Sequence, residues 1–89
     1  MQSGYSFERD EAIASLPKHE RLRMQLLAEL HSGRVRPGDA LPTENELAAD
    51  AKMSRNTVRQ ALADLERAGV VERIRGRGTF FHKLALQRV

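Results

Sequence analysis

The sequence predicts a mainly α-helical fold that ends in a small antiparallel β-hairpin. Apolar residues in two segments, 18–32 and 54–69, recur every three or four positions, as on the buried face of a helix. Between these segments, a threonine followed three residues later by a glutamate is typical of a helix start. After Gly69, two runs rich in β-branched and aromatic residues flank a Gly-Arg-Gly loop, which is typical of a hairpin.

The composition indicates one small domain with a single core. A chain of 89 residues buries about 60–65% of its unfolded surface. Cysteine is absent, which excludes disulfides and cysteine-based zinc or thiol chemistry and fits a reducing cytoplasm. The first residues lack the basic start and apolar run of a secretory signal, and no stretch has the length of a membrane span. We therefore expect a cytoplasmic protein with no membrane partner.

Charge is distributed unevenly along the chain, whose net charge is +3. Residues 1–51 contain six Lys and Arg against nine Asp and Glu, a net charge of −3. Residues 52–89 contain nine Lys and Arg against three Asp and Glu, a net charge of +6. Such clustering favours a polyanionic partner for the second half of the chain.

The N-terminal part is predicted to contain an extension and one helix. Residues 1–17 are expected to form a weakly ordered extension that Pro17 closes, because proline is tolerated in the first turn of a helix and not inside one. A helix is predicted from Lys18 to Ser32, where leucine recurs every four residues, and Gly33 ends it. Ser15 or Leu16 is expected near its N-cap.

A connection without helical periodicity follows, from residue 33 to residue 42. Pro37 and Gly38 predict a turn, since proline fixes φ and glycine supplies positive φ. Apolar residues on both sides of the turn indicate a short extended segment that pairs with later strands. Arg34 and Arg36 are candidates for phosphate contact, although an exposed loop is an equally good interpretation.

Two short helices in succession predict a helix-turn-helix. Thr43 and Glu46 form a capping box at the start of a helix over residues 44–51. Ser54 is a good N-cap for the next helix, and Gly69 is a good residue to follow its end. The glycine common in such turns is missing, so Lys52 is expected to adopt the unfavourable positive φ.

The helix that begins at Ser54 has a polar face suited to nucleic acid. Arg55 and Arg59 are four residues apart and therefore lie one turn above the other, with Asn56 beside them. The arginine fork pairs with phosphate or with guanine, and asparagine pairs with adenine in the same groove. A solvated polar face is the alternative interpretation, and the flanking basic segments favour nucleic acid.

The predicted hairpin has a cationic tip. Strands are predicted over residues 70–75 and 79–82, with Gly76, Arg77 and Gly78 between them. Arg75 and Arg77 give this tip the charge needed to enter a minor groove or to lie along phosphates. Residues 83–89 are interpreted as the start of a linker.

A helix, a helix-turn-helix and a basic hairpin follow one another in the order of a winged helix-turn-helix, which has three helices plus a wing. The segment from about residue 22 to residue 81 resembles the DNA-binding domain of GntR-type bacterial transcription regulators. The residues that support this resemblance are Ser32-Gly33, Pro37-Gly38-Asp39, Leu41-Pro42-Thr43-Glu44, Glu46-Leu47-Ala48, Ser54-Arg55, Thr57-Val58-Arg59, Ala61-Leu62, Leu65, Gly69-Val70-Val71 and Gly76-Arg77-Gly78-Thr79-Phe80.

The resemblance implies a winged-helix domain over residues 18–82 that binds a palindromic DNA operator as a homodimer and regulates transcription, as a repressor. It also implies a C-terminal effector domain, absent from this chain, that binds a metabolite and supplies most dimer contacts. Many members have arginine where this chain has Asn45, which changes one expected phosphate or guanine contact. No metal or cofactor is expected. The candidate DNA-binding residues are Ser54, Arg55, Asn56, Thr57, Arg59, Thr43, Asn45, Arg75, Gly76, Arg77 and Gly78.

Other functions fit the sequence less well. An enzyme is not expected, because the histidines are scattered and Glu44 and Glu46, two apart on a helix, point in different directions. A winged helix that binds protein instead of DNA remains the main alternative. RNA binding is a weaker one, since a recognition helix suits the major groove of B-form DNA.

Overall fold

The computed structural model describes residues 16–88, which contain four helices and one antiparallel hairpin. The interpretation of residues 1–17 as an extension falls mostly on residues 1–15, which lie outside the described part, as does Val89. None of the helices described is long and apolar enough to cross a membrane. The elements are α1 (Lys18–Ser32), α2 (Glu44–Ala51), α3 (Arg55–Arg67), β1 (Val71–Ile74), β2 (Gly78–Phe81) and α4 (Ala85–Arg88).

The core lies between α1 and α3 and is closed by the base of the hairpin. The apolar stripes predicted on both helices are buried, which confirms their helical period. Leu62, in the middle of α3, is 1% exposed. The buried core residues are Leu22, Leu26, Leu30, Leu41, Leu47, Val58, Ala61, Leu62, Leu65, Val70, Val71, Phe81 and Ala85.

The helix ends mostly follow the predicted caps. Thr43 Oγ1 accepts the Glu46 N–H at 3.1 Å and Glu46 Oε1 accepts the Thr43 N–H at 2.9 Å, so the capping box is confirmed. The N-cap of α1 is Pro17, which makes no side-chain capping bond. Its carbonyl instead accepts the Arg21 N–H at 3.1 Å, so this helix starts without the side-chain cap that most helices use.

The turn between α2 and α3 is short and contains one residue, Lys52, in the left-handed conformation. Lys52 has φ 56° and ψ 50°, as the missing glycine led us to expect. Such a conformation costs a non-glycine residue roughly 1–2 kcal/mol. The Met53 N–H donates to the Ala48 carbonyl at 2.9 Å, which satisfies an unpaired carbonyl at the end of α2. Ser54 follows directly as the cap of α3.

The hairpin is held along both edges of its second strand. On one edge β2 pairs with β1, with Val71 opposite Phe81 and Ile74 opposite Gly78. On the other edge, the Phe81 N–H donates to the Asp39 carbonyl at 2.8 Å, and Ala40 forms an isolated bridge with Phe80. The extended segment predicted around residue 40 therefore pairs with the hairpin. This pairing fixes the hairpin relative to the start of α2.

A short helix after the hairpin was not predicted. In α4, Ala85 is fully buried, and the Arg88 side chain lies over Gly69. Gly69 has φ 80°, and a Cβ at this position would lie 2.8 Å from Arg88 Cδ. Glycine is therefore needed at Gly69 both for its backbone conformation and for this close approach. That a linker begins in residues 83–89 stays a prediction.

Candidate nucleic-acid interface

The start of α3 presents polar groups to solvent. Ser54 Oγ accepts the Thr57 N–H at 3.1 Å and lies 2.9 Å from Thr57 Oγ1, which confirms the predicted N-cap. Ser54, Arg55 and Asn56 are exposed. Because a helix N-terminus has free N–H groups and partial positive charge, this turn favours an anion such as a phosphate.

The two arginines of α3 lie on its exposed face. Arg55 and Arg59 are both exposed, whereas Val58 between them is fully buried. As the sequence predicted, α3 packs its apolar face on the core and presents its cationic face to solvent. An arginine whose side chain reaches solvent can offer its planar fork to a base edge or a phosphate.

The first turn of α2 contacts both arginines. Arg59 Nε donates to Glu44 Oε1 at 3.0 Å, and Arg55 Nη1 donates to Asn45 Oδ1 at 3.4 Å. Two consecutive residues of α2 thus each meet one arginine, and the two arginines are one turn apart on α3. Asn45 therefore accepts a hydrogen bond from an arginine of the next helix.

Glu44 also connects this face to the hairpin. Its second oxygen, Oε2, lies 3.7 Å from Arg73 Nη1, and Arg73 Nε lies 3.7 Å from Glu66 Oε1. Neither Glu44 nor Arg73 was among the predicted DNA-binding residues. No local sequence pattern identifies the two Glu44 contacts, because they join α2 to α3 and to β1 across 15 and 29 positions of the chain.

The hairpin tip is exposed and its charge is not neutralised by the fold. The Arg77 N–H donates to the Ile74 carbonyl at 2.9 Å, which closes the turn, and Gly76 has φ 77°. Arg75 and Arg77 are exposed, and no acidic side chain among residues 16–88 forms a salt bridge with either of them. An arginine without an acidic partner keeps its full positive charge for a phosphate, whereas a salt bridge would neutralise part of it.

The remaining candidates lie at the edges of these two features. The Thr43 hydroxyl accepts the capping bond from Glu46, so its own hydrogen is available for a further acceptor. Gly78 is the first residue of β2 and adjoins the tip. The structure thus brings the candidate Asn45 onto Arg55, and Glu44, which was not a candidate, links Arg59 to Arg73 on the strand that leads to the tip.

A separate polar cluster lies between α1 and α3. Ligand atoms of His19, Glu20 and Asp64 lie within 4.8 Å of one another. Each carboxylate already has a cationic partner, Arg23 on Glu20 and Arg67 on Asp64. Glu20 and Asp64 also border a cavity of about 540 Å³ that none of the DNA-binding candidates lines. This cluster is therefore distinct from the candidate interface.

Comparison with known proteins places the chain among transcription regulators. The family model described as "Bacterial regulatory proteins, gntR family" matches residues 18–81. The arabinose metabolism transcriptional repressor of Geobacillus stearothermophilus is 44% identical over 66 residues, which are 74% of this chain and 18% of that repressor. The transcriptional repressor YtrA of Bacillus subtilis is 39% identical over 72 residues, 81% of this chain and 55% of YtrA.

Solved structures share the fold. The DNA-binding domain of AraR in complex with operator ORX1 is 35% identical, with a TM-score of 0.71 over 74% of this chain and 80% of that chain. A transcriptional regulator from Oenococcus oeni is 28% identical, with a TM-score of 0.79 over 83% of this chain and 62% of that chain. The chain spans 18–55% of the length of the first curated relatives that it matches.

Proposed function

This chain belongs to the GntR family of bacterial regulatory proteins, and we propose that it binds double-stranded DNA sequence-specifically through its winged helix-turn-helix. The observation that supports this proposal most directly is the cationic face of α3, with Arg55 and Arg59 exposed beside a hairpin whose tip arginines have no acidic partner in residues 16–88. AraR, a relative of the same fold, has been solved with its operator.

We assign different tasks to the two parts of this surface. The first two turns of α3 enter the major groove, where side chains of Arg55, Asn56, Thr57 and Arg59 meet base edges. The cap residue Ser54 contacts a phosphate, and Thr43 and Asn45 of α2 lie beside the same strand. The hairpin tip lies in the minor groove or along phosphates. Base contacts give discrimination, and phosphate contacts give affinity and register.

The whole protein is proposed to be a metabolite-responsive repressor. The curated relatives are longer than this chain, and several are named repressors of metabolic systems. On this proposal a linker leads from residues 83–89 to an effector domain, through which two chains form a homodimer on a palindromic operator. Two tethered modules gain affinity by effective concentration, so one module alone binds weakly. No catalysis is assigned, and the cytoplasm, where the operator lies, is the proposed location.

DNA affinity is expected to fall steeply as salt rises. If Arg75, Arg77 and one further cation each neutralise a phosphate, log K should fall against log salt concentration with a slope of about −2.7. A rise from 50 to 200 mM salt would then raise Kd roughly 40-fold. Fluorescence anisotropy of a labelled duplex, selected from random oligonucleotides by the 89-residue chain, measures this slope. A flat response, or failure to select any duplex, would favour the protein-binding alternative.

Arg77→Ala is expected to weaken binding to all duplexes by a similar factor. The side chain lies at the exposed tip, where a phosphate contact carries no sequence information. The salt slope should become shallower by about 1, since one fewer counterion is released. Arg67→Ala is the matched control, because Arg67 is an exposed arginine at the far end of α3. Equal slopes for the two variants would remove the wing from the interface.

A further inference from the structure

Glu44 is a carboxylate beside the arginines of the proposed interface. It is the first residue of α2, directly after the capping residue Thr43. A negative charge at this position opposes binding of a polyanion. An acidic residue in the first turn also stabilises the helix, because it interacts favourably with the positive end of the helix dipole. Glu46 already supplies an acidic side chain to that turn and completes the capping box. Stabilisation of the first turn of α2 therefore does not by itself explain why Glu44 carries a carboxylate.

The two oxygens of Glu44 bind different elements of the domain. Oε1 accepts the Arg59 Nε–H at 3.0 Å, and Oε2 lies 3.7 Å from Arg73 Nη1. Glu44 is the more covered partner, with 28% of its side chain exposed against 54% for Arg59. Glu66, on α3, lies 3.7 Å from the other side of Arg73. The carboxylate thus joins α2 to the recognition helix α3 and to the strand β1 of the wing.

The contact with Arg59 leaves the outer part of its guanidinium available. Only Nε of Arg59 donates to an acceptor within residues 16–88, so Nη1 and Nη2 remain available for a bidentate contact. A long arginine side chain loses rotamer freedom when it binds, and a side chain already held in place loses less. A base contact needs this orientation more than a phosphate contact does, because the two N–H groups must match the positions of two acceptors on one base edge.

We infer that Glu44 is a positioning residue for sequence recognition: it orients the Arg59 guanidinium toward the major groove and ties it to the wing through Arg73, at some cost in non-specific affinity. This inference rests on the proposed DNA-binding function. Glu44 itself touches no base, and its effect on specificity passes through Arg59. The measure of this effect is the specificity ratio, defined as Kd for a random-sequence duplex divided by Kd for the selected duplex.

The test compares Glu44→Gln with Glu66→Gln in the 89-residue chain. Both substitutions remove one negative charge from the same network, but within residues 16–88 the Glu66 carboxylate pairs with Arg73 and not with Arg59. Both should therefore tighten binding to the random duplex slightly. Of the two, Glu44→Gln alone should lower the specificity ratio, by about three- to tenfold. This loss is smaller than the full discrimination of a bidentate contact, because Arg59 itself remains in place. Glu44→Asp, which keeps the charge but shortens the reach to Arg59, should lower the ratio without tightening non-specific binding.

Repeating Glu44→Gln in an Arg59→Ala background shows whether the effect passes through Arg59. There it should change the ratio by less than about twofold, because coupled residues are not additive. The same loss in both backgrounds, or an equal loss for Glu66→Gln, would overturn the inference, as would an unchanged ratio for Glu44→Gln. If the wild-type chain binds both duplexes equally, the proposed function itself fails. Urea midpoints of all variants separate loss of folding from loss of recognition.

Discussion

Leu62→Ala is expected to lower the free energy of unfolding by about 2–5 kcal/mol. Leu62 is 1% exposed and lies in the middle of α3, within the core shared by α1, α3 and the hairpin base. Truncation removes apolar contacts and leaves a cavity that a close-packed interior fills only partly. A domain of this size has a total stability of roughly 4–13 kcal/mol, so the loss is a large fraction of it. Urea unfolding followed by circular dichroism should show a lower midpoint at unchanged slope.

Leu84→Ala is the matched control for that prediction. The same three carbons are removed, but Leu84 is 42% exposed and lies outside the core cluster. Its cost should stay within about 0.5 kcal/mol, as for most surface substitutions. Equal losses for the two variants would mean that the core is not arranged around α3. Because Arg55 and Arg59 are on the same helix, Leu62→Ala should also weaken DNA binding once part of the population is unfolded.

The elements that were predictable are those specified by neighbouring residues. Thr43 and Glu46 cap α2 through each other, and Lys52 takes the positive φ left by the absent glycine. Leucine recurs every four residues in α1, at Leu22, Leu26 and Leu30, so its buried face follows from the sequence, and Gly33 marks its end. These features depend on contacts at most four residues apart, which a single sequence contains in full.

The unpredicted features depend on how distant elements pack. The pair between Glu44 and Arg59 spans 15 positions, and that between Glu44 and Arg73 spans 29. The α4 turn is too short to show a helical period, and Ala85 is buried because α4 packs against α1. The candidate site was thus predictable as a list of exposed cations, whereas the acidic residue that contacts one of them was not. Which bases these cations meet stays a prediction.

Arg59→Ala is expected to reduce affinity for the selected duplex by about 1–3 kcal/mol and to relax preference at one or two base pairs. Arg59 is exposed on the outer face of α3, and its Nη groups are unbonded within residues 16–88. If they meet a base edge, the loss should be much smaller on a random-sequence duplex, which offers no matching acceptor pair. Anisotropy titrations on both duplexes, followed by a new selection with the variant, measure the two effects separately.

Arg59→Lys separates geometry from charge at the same position. Lysine keeps the positive charge but lacks the planar fork, so it cannot reproduce a bidentate pair with guanine. We therefore expect this variant to bind the random duplex about as well as the wild type and to lose most of the specific affinity that Arg59→Ala loses. If Arg59→Lys is indistinguishable from the wild type on the selected duplex, Arg59 acts as a phosphate contact. Sequence discrimination would then have to come from Arg55, Asn56 and Thr57.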